Sequence, residues 1–265
     1  MIRLTRVNAS YPPLRVLSDI SLHVGRGERV AVIGPNGAGK SSLLKAITGF
    51  LPAESGTVEI AGRPVASLAP RQRAQTLSVV PQDIPQDIPY SAYDFVMLGR
   101  AALLPRFRGP SEADRQAVER VMRLTGTWPL RQRPVPAMSG GERQRLALAM
   151  ALAPGPEILL LDEPTSHLDL RHRAELTHLL TRLNEEQQIT LVMAVHDLTL
   201  ASQCFPRVVL MADGRKLADG LPHDVLTPPT LEAAYHCPVR VIPLPGMTGV
   251  CVLPMEGERP RKPQG

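Results

Sequence analysis

Two patterns of apolar positions alternate along this chain. Short, nearly unbroken apolar runs at 29 to 33, 77 to 80, 158 to 161, 190 to 195 and 208 to 211 predict buried strands. β-like stretches at 2 to 7, 17 to 24 and 56 to 61 add to them. Between these runs the spacing becomes helical: 41 to 48, closed by Gly49, and 171 to 186. From about 90 to 153 the pattern is helical. There Ser111 with Asp114, and Ser139 with Glu142, have the spacing of capping boxes, and Ala117, Val118, Val121 and Met122 share one helix face. Strands alternating with helices predict an α/β fold, a parallel sheet wrapped by helices. The stretch after about 220 is Pro-rich, and its tip, ERPRKPQG, is predicted to be disordered. PQDI occurs twice in tandem at 81 to 88, too short an echo to mark a repeat architecture.

Composition narrows the class. Of 265 residues, 43% are hydrophobic and 21% charged, as in soluble globular proteins. The formal charge of +5 is scattered, with no run of five like charges, which argues against a nucleic-acid partner. Cys204, Cys237 and Cys251 are far apart and form no Cys-x-x-Cys pair, so they read as free thiols of a reducing compartment. The start, MIRLTRVNASYPP, lacks the apolar core of a signal peptide, and no apolar run is long enough to cross a bilayer. The expectation is a cytoplasmic chain whose role at any membrane runs through a partner.

Gly34-Pro35-Asn36-Gly37-Ala38-Gly39-Lys40-Ser41 fits the phosphate-loop pattern G-x-x-x-x-G-K-S and lies between a predicted strand and a predicted helix. Glycines let consecutive N–H groups turn toward the α- and β-phosphates at the positive end of the helix. Lys40 would reach the β- and γ-phosphates and Ser41 would bind Mg²⁺, with Ser42 nearby on the phosphate side. At 158 to 164, ILLLDEP, an apolar strand delivers two carboxylates. Alternation along the strand would aim them apart, Asp162 to Mg²⁺ or its waters and Glu163 to the attacking water, the pair that nucleoside triphosphate hydrolysis needs. Gln82 lies just past a predicted strand and His196 directly after one, and in open parallel sheets ligands bind beyond the carboxyl ends of the strands. Gln86 is a rival for the glutamine role, farther from its strand. Ser139, Gly140 and Gly141 open a second glycine-bearing helix and make a second anion cradle. One triphosphate already has a cradle, so the second is expected to face the nucleotide of a second copy, in a homodimer.

The order GPNGAGKS, MSGGERQR, LLLDEPTSHLD, AVHD resembles the ATP-binding-cassette family over residues 1 to about 220. The resemblance implies a P-loop nucleoside triphosphate hydrolase core, mostly parallel with an antiparallel β subdomain, plus an α-helical subdomain at about 88 to 153. The cassette would occupy 1 to 237, with 238 to 265 as a small appended segment. It implies ATP and Mg²⁺ as cofactors. It also implies that Tyr11 stacks on adenine, that Ser139, Gly140 and Gly141 meet the γ-phosphate held by the opposing protomer, and that the segment 166 to 169 crosses the dimer interface. His196 would bind the γ-phosphate, and Gln82 would sense the nucleotide at its magnesium and report to a membrane partner. Met138 and Glu142 depart from the Leu and Gln most frequent in the family's signature.

VPQ followed by PYSAYDFVMLGR, then PSEADRQAVERVMRLTG, DEPTSHLD and a late YHCPVRVIP resemble the ATPases of importers for haem, ferric siderophore and cobalamin chelates. That implies a separate multi-span permease dimer, a substrate-binding protein beyond it, and a place on the cytoplasmic face of the inner membrane. An exporter ATPase, or a cassette ATPase outside transport, is the alternative.

Overall fold

The computed structural model describes residues 1–82, 84, 88–105, 109–166, 168–245 and 248–255. The chain opens with β1 (Ile2–Tyr11), β2 (Leu14–Val24), β3 (Arg29–Ile33), α1 (Lys40–Thr48), β4 (Ser55–Ile60) and the two-residue β5 (Arg63–Pro64). Then come α2 (Pro70–Thr76), β6 (Leu77–Val80), α3 (Ala92–Leu98), α4 (Glu112–Leu124) and α5 (Gly140–Leu152). After these lie β7 (Ile158–Asp162), α6 (Leu170–Gln187), β8 (Thr190–Ala194), α7 (Leu198–Cys204), β9 (Arg207–Ala212) and β10 (Arg215–Gly220). The last described elements are α8 (Pro222–Val225), α9 (Pro228–Tyr235), β11 (Val239–Pro243) and β12 (Val250–Pro254).

Six strands form the central sheet in the order β10-β9-β3-β8-β7-β6. All its pairs are parallel except β10 with β9. A second, four-stranded sheet, β2-β1-β4-β5, is antiparallel. Alternation explains why the central strands read as unbroken apolar runs, because both faces are covered. Val30, Val32, Ile158, Leu160, Val192 and Ala194 pack toward α1 and the antiparallel sheet. Their neighbours Ala31, Ile33, Leu159, Leu161, Leu191 and Met193 pack toward α5, α6 and the helices after β8.

A third cluster lies among α3, α4 and α5, around Phe95, Val118, Met122, Met138 and Leu146. α5 serves two cores. Leu146 and Ala149 belong to the helical cluster, whereas Ala147, Leu148 and Ala151 belong to the sheet cluster. From Leu146 to Leu152 the helix is apolar on every side, as service to two cores requires. Arg100 ties the helices together: its Nε donates to Asp114 Oδ1 at 2.6 Å and its NH1 to the Ala153 carbonyl at 2.8 Å.

Both capping boxes form. β1 and β2 run longer than their apolar alternation indicates, to Tyr11 and from Leu14, because each also pairs where its side chains are exposed. The pattern of apolar positions does not predict α2, α7, α8, α9, β10 or the β11–β12 hairpin. The hairpin packs on α7, where Ser202 Oγ accepts from the Val250 N–H at 3.0 Å and donates to the Val250 carbonyl at 3.1 Å. Residues 258 to 265, expected to be disordered, and Gln86 lie outside the described residues.

Candidate functional site

β3, β7 and β8 are adjacent and parallel, so their carboxyl ends open on one edge of the sheet. The loop after β3 delivers residues 34 to 39 and then α1. Gly39 caps α1 with φ 98°, and Lys40 starts the helix with its side chain buried. Lys40 Nζ donates to the carbonyls of Gly34 at 2.9 Å and Pro35 at 3.0 Å. Gly34 has φ 147°, and a Cβ there would lie 2.1 Å from the Met211 carbonyl oxygen of β9, so only glycine fits.

The loop encloses a cavity of about 250 Å³ lined by Asn36, Gly37, Ala38, Gly39, Lys40, Ser41, Ser42 and Glu163, with Leu14 and Val16 as an apolar wall from β2. No motif marked that wall. Tyr11, the last residue of β1, is exposed and pairs across the turn with Leu14, and Lys45 Nζ lies 5.8 Å from its ring centroid.

Ser41 Oγ donates to Asp162 Oδ1 at 2.9 Å. Burial pushes the Asp162 carboxyl above its ordinary pKa, opposed by the Ser41 hydroxyl and reinforced by the Glu163 charge. Burial lowers the Lys40 pKa, while Glu163 and Asp162 pull it back up. β7 ends at Asp162, and Glu163 takes the left-handed conformation at φ 49° with its N–H on the Ala194 carbonyl at 3.2 Å. The expected separation of the two carboxylates by strand alternation is therefore replaced by a turn. Glu163 is 7% exposed; its Oε1 lies 3.7 Å from Lys40 Nζ and 2.5 Å from His196 Nε2. His196 follows β8 and keeps 42% of its side chain exposed.

Gln82 is half-buried and follows β6. The preceding Pro81 lines a groove of about 590 Å³ with Ser41, Lys45, Phe50, Val79 and Asp162. The strand end that carries Gln82 is thus brought beside the Ser41–Asp162 pair. Among the described residues no cluster of three or more His, Cys, Asp or Glu side chains converges. Mg²⁺ suits such a site, because it binds through one or two oxygen side chains with phosphates and waters completing its shell. The touching hydroxyl and carboxylate of Ser41 and Asp162 meet that requirement.

Ser139, Gly140 and Gly141 do not line the phosphate-loop cavity. They form the N-terminus of α5, with Ser139 and Gly140 exposed. Ser139 Oγ accepts from the Glu142 N–H at 3.3 Å, and Glu142 Oε2 accepts from the Ser139 N–H at 2.7 Å. The Ser139 N–H is the main reason the Glu142 carboxyl sits below its ordinary pKa. Both departures from the family signature thereby have a physical account: Met138 is 4% exposed in the helical core, and Glu142 closes the cap.

A P-loop between strand and helix, with two carboxylates at the end of β7, one strand beyond β8 in the same parallel sheet, defines a nucleoside-triphosphate-binding protein of the P-loop class. The sequence profile of ABC transporters matches residues 17–166. The chain belongs to the ABC transporter family. It is 38% identical to the cobalamin import ATP-binding protein of Halobacterium salinarum over 91% of this chain, and spans about 60% of that relative's length. It is 39% identical to the hemin import ATP-binding protein of Rhodococcus jostii, over 92% of this chain and 82% of the relative. An inward-facing ABC transporter described as of the metal-chelate type superposes with TM-score 0.84 at 25% identity, covering 96% of this chain and 97% of the other. A dimeric ATP-binding cassette in a post-hydrolysis state with ADP and Pi superposes with TM-score 0.74 at 27% identity, covering 84% and 99%. No helix among the described residues is long and apolar enough to cross a membrane.

Proposed function

We propose that this chain is the ATP-hydrolysing subunit of an importer for a metal chelate, working as a homodimer that drives a separate multi-span permease from the cytoplasmic face of the membrane. The observation that carries the catalytic part is the Lys40–Glu163–His196 cluster at the mouth of the phosphate-loop cavity. The importer part rests on similarity to the hemin and cobalamin import proteins and on the superposition with the metal-chelate type transporter.

In this reading the backbone N–H groups of residues 36 to 42 cradle the α- and β-phosphates, Lys40 holds the β- and γ-phosphates, and Tyr11 stacks on adenine. Ser41 and Asp162, with Gln82 close by, hold the magnesium, which when bound neutralises charge on the phosphate oxygens. Glu163 accepts a proton from the attacking water, or orients it, and His196 donates to the γ-phosphate. Ser139, Gly140 and Gly141 of one copy cap the ATP bound by the other, and the segment 166 to 169 lies across the interface. Residues 1 to 237 form the cassette, with the helical subdomain at about 88 to 153, and 238 to 265 are appended to it. The groove carrying Phe50, which is 78% exposed, offers an apolar seat to the permease's cytoplasmic helices. ATP binding then biases the permease between its two access states by favouring the closed dimer.

The test is reconstitution of the chain with its copurifying permease in vesicles, followed by ATP-dependent uptake of hemin, ferric hydroxamate and cobalamin in parallel. Uptake of one of the three, abolished by Glu163→Gln, is expected. Copurification with ribosomes, DNA or an exporting permease removes the importer reading.

A further inference from the structure

The first turn of α6 carries contacts that no phosphate-binding motif requires. Asp169 caps α6, its Oδ1 accepting from the His172 N–H at 2.8 Å. The same oxygen lies 2.8 Å from the His172 ring Nδ1. The His172 backbone N–H is the main reason the Asp169 carboxyl sits below its ordinary pKa, with the ring adding to the effect. An ionised carboxylate can only accept, so Nδ1 carries the proton. The hydrogen bond fixes the ring plane.

That plane lies against the signature helix. A Cβ built on Gly141 would stand 3.1 Å from His172 Cδ2 and 3.2 Å from Cγ, so the ring covers the Cα of a glycine in the second cradle. A second tie between α5 and α6 runs alongside, Arg145 to Glu175 at 3.4 Å. On the next residue, Arg173 NH1 reaches Asp197 Oδ2 at 3.0 Å. Asp197 neighbours His196 and caps α7 through the Leu200 N–H at 2.9 Å.

We infer that His172 is a positioning residue for the 139 to 141 cradle: bonded to Asp169 and with its ring face on Gly141, it holds the cradle in register with Asp169 at the start of α6. Arg173 fixes the same turn to the residue beside His196. One helical turn thereby joins the cradle proposed to face a second copy to Asp197, the residue beside His196. The inference rests on the proposed role of residues 139 to 141 in capping the other protomer's ATP.

The experiment uses the full chain carrying Glu163→Gln, with ATP-driven dimerisation followed by analytical ultracentrifugation and ATP affinity measured under dilute, monomeric conditions. His172→Ala should weaken dimerisation about tenfold, the effect of one charge-assisted hydrogen bond together with a lost packing face. ATP affinity of the monomer should stay within about twofold, since the cis cavity is untouched. His172→Asn, whose amide nitrogen can take the place of Nδ1, should recover part of the loss, and His172→Phe, which keeps a ring but not the bond that fixes its plane, should recover less than His172→Asn. A Ser139→Phe control separates the two ideas. If Ser139→Phe blocks dimerisation while His172→Ala dimerises like the parent, the positioning role is wrong and the trans cradle stands. If Ser139→Phe dimerises normally, the trans cradle itself falls and takes this inference with it. Equal loss for Asn and Ala, or a parallel loss of monomer ATP affinity, also overturns the positioning role.

Discussion

Replacing Glu163 by Gln removes one member of a buried pair of opposite charges. The Lys40 and Glu163 side chains are 4% and 8% exposed, and their charged atoms are 3.7 Å apart. At an effective dielectric constant of about 20, that separation corresponds to roughly 4 kcal/mol of gross attraction. The shape is preserved: the Gln oxygen can still accept from His196 Nε2, which lies 2.5 Å from Glu163 Oε1. What disappears is the capacity to take a proton, so hydrolysis should fall about 10² to 10⁴-fold, or about 3 to 5 kcal/mol of barrier. Binding should move the other way. The carboxylate that competes with phosphate for Lys40, and repels it, is gone, so ATP affinity should rise or hold. Single-turnover hydrolysis of radiolabelled ATP and equilibrium binding of a fluorescent ATP analogue measure the two quantities on one preparation. Turnover within a few-fold of the parent removes Glu163 as the base. A fall in ATP affinity in step with turnover shows instead that the substitution has damaged the cavity.

Other predictions concern the surroundings of that cavity. Lys40→Ala should weaken ATP binding at least tenfold by isothermal titration, and unchanged affinity would count against the phosphate-loop assignment. Gly34→Ala should destabilise the chain by about 2 kcal/mol or more and cut ATP binding, because its Cβ meets the Met211 carbonyl. At Gly37, where nothing lies within 4 Å of the new Cβ, the same change should cost only about 1 kcal/mol of backbone strain; equal costs in urea unfolding contradict the close-approach argument. The Asp114 carboxyl, bonded to Ser111 and Arg100, titrates at about 2 against an ordinary 3.8. Its stabilisation is complete above pH 3.8 and vanishes as pH falls through about 2. Asp114→Asn should therefore cost about 2 kcal/mol at pH 7 and far less near pH 2, and a cost independent of pH would refute the linkage.

How much of this was legible beforehand depends on where each feature's cause lies. β3, β7 and β8 were readable because two covered faces leave almost no polar position inside them, and the two capping boxes were readable because Ser111 and Ser139 act within four residues. β10 was not: RKLADG has little apolar alternation, and it is a strand because β9 offers it an edge. The residues of the candidate site could be placed on one edge of the sheet from strand order alone. Their contacts could not. The left-handed Glu163, its bond to His196 and the apolar wall of Leu14 and Val16 come from chain segments meeting across the fold. His172 was invisible for the same reason, since a single His after an Asp three residues earlier is an ordinary helix start until Gly141 is seen beneath it.

The place of β3 has a consequence for how the molecule is made. Its partners in the sheet are β8 and β9, strands that begin only at Thr190 and Arg207, so an apolar strand translated early has no neighbour until the ribosome has produced most of the chain. At about 10 residues per second that wait is roughly 15 seconds, long enough for an incomplete chain exposing RVAVI to aggregate or to need a chaperone. The loop that grips ATP is thus written first and finished last. Nucleotide binding by nascent chains of increasing length should appear abruptly, once β8 and β9 have cleared the exit tunnel.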